Sequence, residues 1–274
     1  MASNFVKRLA GIAVAALIAV PLAAQDFSQM SPEEIRKALT LGSVTVGTLT
    51  QPFFRGAPGT SSGSPSGFGA AWRDGFIGGG YQQVRGGGQS DGSIAGGFGL
   101  GNAQDAIGLE VVVASLSTFR SGLFDRTAFS FKAHRMVSST AAIAVGVENA
   151  IIAGGGKTDG ASSVFVAGSK VIRPSSGFIQ QISLSGGIGN GRFRFEKDVR
   201  KDNKTVNLFA SAGFQVHEKL SVLADWGGQD LTLGVSMVPF KAFPVIITPA
   251  VADLTGQNGN DPRFTLGFGI GMKF

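Results

Sequence analysis

The chain has 274 residues, of which 43% are hydrophobic, only 15% are charged and 42 are glycine, and it contains no cysteine. A disulfide framework, thiol chemistry and a lipid attached through cysteine are thereby excluded. The formal net charge of +6 includes Lys7 and Arg8 of an export leader, and the other basic residues form no run, so no nucleic-acid partner is expected.

Residues 1–24 read as a signal peptide. Lys7 and Arg8 supply the positive start, residues 9–22 form an apolar run broken by Gly11 and Pro21, and Ala23 and Ala24 are small enough for cleavage after Ala24. The run is shorter than the ~20 residues a spanning helix needs. Residues 25–66 differ in character from the rest of the chain. In Ser31-Pro32-Glu33-Glu34, serine is the N-cap, proline the first helical residue and Glu34 completes a capping box, which predicts a short N-terminal helix to about Leu41. A short β-like piece at 43–50 comes next, and residues 56–67 form a Gly/Ser/Pro-rich linker. The linker reads as an extension outside the C-terminal domain, in preference to a plug inside it.

From residue 67 to 274 the pattern is strand after strand. Weaker candidates lie near 76–84 and 93–101. Then Ile107, Leu109, Val111 and Val113 alternate with Gly108, Glu110, Val112 and Ala114. Phe129, Phe131 and Ala133 alternate with Ser130, Lys132 and His134, and Ile143, Val145 and Val147 with Ala144, Gly146 and Glu148. After a weaker run at 162–172, Ile182, Leu184 and Ile188 oppose Gln181, Ser183 and Ser185. Period-2 runs recur at 206–217, 220–226 and 231–237, with a weaker one at 244–253. The last run places Phe264, Leu266, Phe268, Ile270, Met272 and Phe274 on one face, with Arg263, Thr265, three glycines and Lys273 on the other. It is too regular for a helix and long enough to cross a bilayer when tilted. Turn-forming residues at 102–105, 157–160, 201–203 and 256–262 separate the runs.

These runs predict an all-β fold: a closed antiparallel transmembrane β-barrel of about twelve strands. An even number is what bacterial single-chain barrels use. Closure is required because an unpaired backbone amide in hydrocarbon costs several kcal/mol, so the strand near 76–84 is expected to pair with the last one. The aromatic content is unusual for such a barrel, with 22 Phe but one Tyr (Tyr81) and two Trp (Trp72, Trp226) to supply interfacial girdles.

If the polar faces point inward, the lumen is lined by Glu110, Lys132, His134, Glu148, Lys170, Asp225, Arg263 and Lys273. Glu110 with Lys132, and Glu148 with Lys170, are expected to pair across neighbouring strands. They form a paired or solvated lining, or set the selectivity of a pore. No catalytic, metal or cofactor residues emerge. Only His134 and His217 could serve as bases, and although Ser130 shares the face of His134, no acid or oxyanion hole is identifiable. The glycine-rich stretches 97–101 and 186–191 lack the helix and Gly-Lys-Ser/Thr of a phosphate loop.

The stretches Ala142-Ile-Ala-Val-Gly-Val-Glu-Asn-Ala-Ile151, Ser162-Ser-Val-Phe-Val-Ala-Gly-Ser-Lys-Val-Ile172 and Ile182-Ser-Leu-Ser-Gly-Gly-Ile-Gly-Asn-Gly-Arg-Phe193 follow one another. They precede Leu223-Ala-Asp-Trp226 and Leu231-Thr-Leu-Gly-Val235. This order resembles uncharacterised cyanobacterial-type outer-membrane β-barrel proteins and, more weakly, exopolysaccharide-associated outer-membrane barrels. It covers about residues 130–240. The resemblance implies an outer-membrane barrel and a link to polysaccharide export, and it carries over no site residues. The polysaccharide-linked proteins differ in being longer and usually lipid-anchored through cysteine.

The expected function is that of a pore or a component of transport or polysaccharide export. The alternative is a structural or adhesive barrel acting through outer loops at 153–161, 191–204 and 254–262; a barrel enzyme ranks last. The expected partners are outer-membrane lipid, the barrel-assembly machinery, which would recognise the strand ending at Phe274, and polysaccharide or small solutes. Cell fractionation is expected to place the protein in the outer membrane, with gel mobility that changes on heating. Recovery from the soluble periplasmic fraction would defeat the membrane reading.

Overall fold

The computed structural model describes residues 58–83, 90–116, 124, 126–154, 162–240, 245–256 and 261–274. The signal peptide, the helix expected at 31–41 and the β-like piece at 43–50 lie outside the described residues. Twelve strands form a single closed sheet. They are β1 (Asp74–Gln82), β2 (Asp91–Gly101), β3 (Gly108–Ser115), β4 (Arg126–Ser138), β5 (Ala141–Gly154) and β6 (Ser163–Ile172). The second half comprises β7 (Gln181–Gly189), β8 (Asn207–His217), β9 (Leu220–Trp226), β10 (Leu231–Met237), β11 (Val245–Ala252) and β12 (Arg263–Lys273). Each strand pairs antiparallel with its sequence neighbour, and β1 pairs with β12 to close the ring.

The seam is fully in register, from Asp74 opposite Lys273 through Ile77 opposite Ile270 to Gln82 opposite Thr265. No edge amides are left to pair elsewhere. The observed first strand starts and ends two residues before the expected one. At one rim lie the start of β1, the end of β12 and the connections at 102–107, 139–140, 173–180 and 218–219, beside the end of β10 and the start of β11. At the opposite rim lie the end of β1, the start of β12 and the connections at 190–206 and 227–230.

Alternation fixes what each face carries. Outward positions hold exposed Ile77, Phe98, Ile143, Val166, Leu184, Val222, Leu233 and Phe268. A belt of apolar side chains exposed on strand after strand is what contact with hydrocarbon requires. Inward positions hold Glu110, Lys132, His134, Ser169, Ser183, Ser211, Asp225, Ser236, Thr248 and Arg263, all buried. One irregularity matters to this sorting. Between β4 and β5 the register shifts, with Phe129 opposite Ile151 but Phe131 opposite Val147. Asn149 adopts a positive φ of 51° there, and its amide donates to the Ser130 hydroxyl at 2.9 Å. The bulge absorbs the extra residues and leaves Glu148 inside.

Two expectations are corrected. Lys170 faces out: on β6 the buried, inward residues are Ser163, Phe165, Ala167, Ser169 and Val171, so parity puts Lys170 on the exposed side. It lies two residues from the strand's end, where a long aliphatic stem can carry its charge to the rim. The segment 191–204 is not a free polar loop. It contains a 3-10 turn (Gly191–Phe193) and a short helix, α1 (Glu196–Arg200), and it buries Arg192, Phe193, Arg194, Glu196 and Val199.

Inward glycines make room for large rings. A Cβ on Gly97 would stand 2.4 Å from the Phe76 ring, one on Gly146 2.5 Å from Phe165, and one on Gly187 2.4 Å from Phe209. At Gly187 the added atom would also stand 2.1 Å from the Val166 carbonyl oxygen, which is backbone and cannot swing away. Gly187→Val is therefore expected to destabilise the barrel by about 1–3 kcal/mol or more. The test is the temperature at which the folded gel band converts to the unfolded one. Gly168→Ala, where nothing lies within 4 Å of the new atom, should leave that temperature unchanged.

Candidate functional site

The lumen is occupied by the chain's own residues 58–71. The Gly/Ser/Pro-rich linker is therefore not an extension outside the barrel, as its composition suggests, since residues 58–66 lie within it. The segment Pro-Gly-Thr-Ser-Ser-Gly-Ser-Pro-Ser-Gly-Phe-Gly-Ala-Ala carries no charge. Its two prolines resist strand and helix, and its glycines let the backbone press against the wall. A Cβ on the wall residue Gly213 would collide with Thr60 at 2.8 Å, and one on Gly99 with Ala70 at 2.3 Å. From Gly59, near the rim at which β1 starts, the segment runs inward, turns at residues 61–64, and returns to that rim to begin β1.

Its inward leg is held at Gly59, whose amide donates to the Ser236 hydroxyl of β10 at 2.7 Å. The turn wraps the carboxylate of Asp225 on β9. One carboxylate oxygen accepts from the Ser61 hydroxyl at 2.6 Å and from the amides of Ser62, Gly63 and Ser64 at 2.9, 3.1 and 3.1 Å. The other accepts from the Ser64 hydroxyl at 2.5 Å. Successive amides converging on one oxygen form a nest for negative charge, here filled by a side chain of the wall.

The returning leg meets β6, β4 and β3. The Gly67 amide donates to the Ser169 hydroxyl at 2.8 Å, and Ser66 and Ser169 share a hydrogen bond of 3.1 Å. Lys132 donates to the Phe68 carbonyl at 2.9 Å while pairing with Glu110 at 3.0 Å. The other oxygen of Glu110 accepts the Ala70 amide at 2.8 Å. His134 Nε2 lies 3.0 Å from the Ala70 carbonyl oxygen. A carbonyl can only accept, so that nitrogen carries the proton.

From the opposite rim the segment 190–206 folds inward. Arg192 forms an ion pair with Glu148 and stacks over Phe193 at 4.1 Å. A second guanidinium nitrogen donates to Glu148 at 2.9 Å and to the Gly63 carbonyl at 2.9 Å, so it touches the turn of the hairpin directly. Phe193, Phe165 and Phe209 pack as a cluster, with Phe193 and Phe209 centroids 4.6 Å apart. Arg194 donates to the carbonyls of Gly191 at 3.1 Å and Asn203 at 2.7 Å, bracing the segment. Burial pushes its guanidinium down from the ordinary value, against the opposing pull of Asp202 and Asp198.

Of the eight expected lining residues, Glu110, Lys132, His134, Glu148, Asp225 and Arg263 are buried inside. Glu110 and Lys132 pair as expected. Glu148 pairs with Arg192 instead of Lys170, because Lys170 is on the outer face. Arg263 pairs with Asp253 at 2.8 Å near the far rim. Lys273 has inward parity but sits at the terminus-bearing rim with its side chain 62% exposed, 3.3 Å from Asp74. Ser130 and His134 do not form a nucleophile–base pair: the serine accepts from Asn149 and the histidine contacts Ala70. Among the described residues no cluster of histidine, cysteine or carboxylate could hold a metal ion. Arg192 and the hairpin are the contributors that strand alternation does not reveal.

No family model matches the chain, and no curated protein matches it. Solved structures similar to it include the KdgM porin, at 10% identity over 73% of this chain and 99% of that one, with a TM-score of 0.42. A second KdgM porin structure, in complex with disordered oligogalacturonate, gives 0.41. The outer membrane protein Omp33 of Acinetobacter baumannii is similar at 10% identity, covering 74% of this chain and 98% of its own, with a TM-score of 0.41.

Lys132→Met is expected to leave Glu110 buried without its ion partner and to destabilise the folded barrel by about 3–5 kcal/mol. Glu110→Gln combined with Lys132→Met should recover part of that loss. Urea unfolding of the two single variants and the double variant from lipid vesicles measures the coupling; strictly additive losses would contradict the pair.

Proposed function

We propose that the protein is an outer-membrane barrel that works as a gated pore, shut in this conformation by residues 58–71. The single observation that carries this reading is the way the hairpin is held. Both of its legs, Gly59 against Ser236 and Ala70 against Glu110 and His134, lie towards the same rim, so the turn can withdraw without unthreading. It is uncharged, and apart from the packing of Phe68 and Ala70 its holds on the wall are hydrogen bonds. Each such bond contributes only about 0.5–1.5 kcal/mol net, or about 1.5–3 kcal/mol to a charged group. Behind it the wall of β6–β10 presents Ser169, Ser183, Ser185, Ser211, Ser221 and Ser236, a hydroxyl surface suited to water.

The apolar outer belt supports insertion in an outer membrane, and the rim at which β1 starts and β12 ends is the one proposed to face the periplasm. Small hydrophilic solutes are the proposed cargo. A part in polysaccharide export is supported only by the resemblance of residues 130–240. A second reading, a structural or adhesive surface barrel, draws support from the Phe165–Phe193–Phe209 cluster, which fills the interior with rings instead of water.

The absence of cysteine makes a direct test possible. The hydroxyls of Ser66 and Ser169 are 3.1 Å apart, so Ser66→Cys with Ser169→Cys would bring two sulfurs within bonding reach after a small shift. In planar bilayers the oxidised protein should stay closed, and reduction should produce discrete conductance steps. Silence of the reduced protein, and of a folded variant lacking residues 58–71, would defeat the pore reading in favour of the surface barrel.

A further inference from the structure

We infer that Asp225 gives the opened lumen a preference for cations over anions, an inference that rests on the gated-pore reading. The wall's charged side chains are largely compensated by one another. Glu110 has Lys132, Glu148 has Arg192, and Asp253 has Arg263. Asp225 differs. Its carboxylate is buried, at 3% exposure, and among the described residues it makes no ion pair. All five of its hydrogen-bond donors are neutral, and all belong to residues 61–64 of the hairpin.

Withdrawal of the hairpin therefore removes every group that solvates this charge and supplies no counter-charge. The wall around it cannot substitute. Asp225 is opposite Ser211 on β8 and Thr232 on β10, both neutral. Among the inward positive charges, Lys132 of β4, Arg192 of the 190–206 segment and Arg263 of β12 are each bound to a carboxylate of their own. What remains is an uncompensated negative charge in a water-filled channel with low-dielectric walls; Asp230, buried just before β10 and held among the described residues only by Leu231 and Thr255, adds charge of the same sign at the far rim. Such walls focus the field along the channel and raise the local concentration of counter-ions. Acidic side chains lining a pore favour cations by the same means.

Asp225 is thus the residue within the strands that sets the sign of the opened lumen. The favoured solutes carry positive charge; small anions are opposed. The same carboxylate has two roles, as anchor of the closed hairpin and as filter of the open pore.

The experiment uses a variant lacking residues 58–71 and, in the otherwise complete chain, Ser61→Ala with Ser64→Ala, which removes two of the five donors and keeps the hairpin. The second variant keeps the test available if the deletion does not fold. Reversal potentials are measured in planar bilayers under a potassium chloride gradient. Either opened pore should pass potassium in preference to chloride. Adding Asp225→Asn should bring the permeability ratio several-fold closer to unity, and Asp225→Lys should reverse the preference. Heat-modifiable gel mobility checks that each barrel remains folded. Conducting pores that favour chloride, or a ratio that Asp225→Asn does not move, would overturn the inference while leaving the pore reading intact. Absence of conductance in both opened variants would overturn the pore reading and this inference with it.

Discussion

Every polar group removed from water in this protein must find a partner, and the architecture follows from that requirement. A sheet with one apolar face exposes two rows of amides at its edges, and only closure satisfies both. The β1–β12 seam performs that closure over the whole of β1. Once closed, the barrel has an interior in which serines and charged side chains are again cut off from bulk solvent. Most are satisfied in turn by one another and by the backbone of residues 58–71, the hydroxyls of Ser93 and Ser221 being exceptions. The same rule operates at the wall and within it.

The twelve strands are legible in the sequence because alternation survives in most of them and turn residues bound the rest. The long regular runs, such as β8 and β12, declare themselves; shorter ones, such as β11, are bounded mainly by the turns beside them. Inward parity is also legible for Glu110, Lys132, His134, Glu148, Asp225 and Arg263. Lys170 marks the limit of alternation as a guide. Within residues 162–172 the run Ser-Val-Phe-Val-Ala-Gly-Ser-Lys offers apolar residues on both faces, and polarity alone assigns the lysine to the lumen. In the fold Phe165 points in, towards Phe193 and Phe209, and the lysine must therefore point out. An aromatic interior inverts the rule that polar means inside.

The hairpin is hidden for a different reason. Its composition is that of a linker, and a linker and a lumen-filling segment share the same needs: turns, small residues and no hydrophobic face of their own. What separates them is the wall. Asp225 and Glu110 each present a carboxylate to backbone amides, and Gly99 and Gly213 leave space where a side chain would collide with the hairpin backbone. These features are scattered across β2, β3, β8 and β9, and only the closed ring brings them together. Arg192 escapes notice on similar grounds. It lies just beyond a strand in a region that reads as a polar loop, and its partner Glu148 is displaced by the β4–β5 bulge.

Charge pairing within the wall and neutrality of the hairpin belong together. A basic hairpin would have paired with Asp225 or Glu110, and separating buried ions that hold one another costs several kcal/mol per contact. Such a segment would be a permanent core element. With Glu110 bound to Lys132 and Glu148 bound to Arg192, the wall needs only neutral donors and acceptors from the hairpin, and these water can replace. Asp225 is the exception that keeps the segment in place, because five donors converge on it alone. Arg192 adds a connection to the opposite rim through the carbonyl of Gly63, whose own amide is part of that anchor. The two closures of the lumen therefore meet at the tip of the hairpin, where a movement of either segment must break a hydrogen bond made by the other.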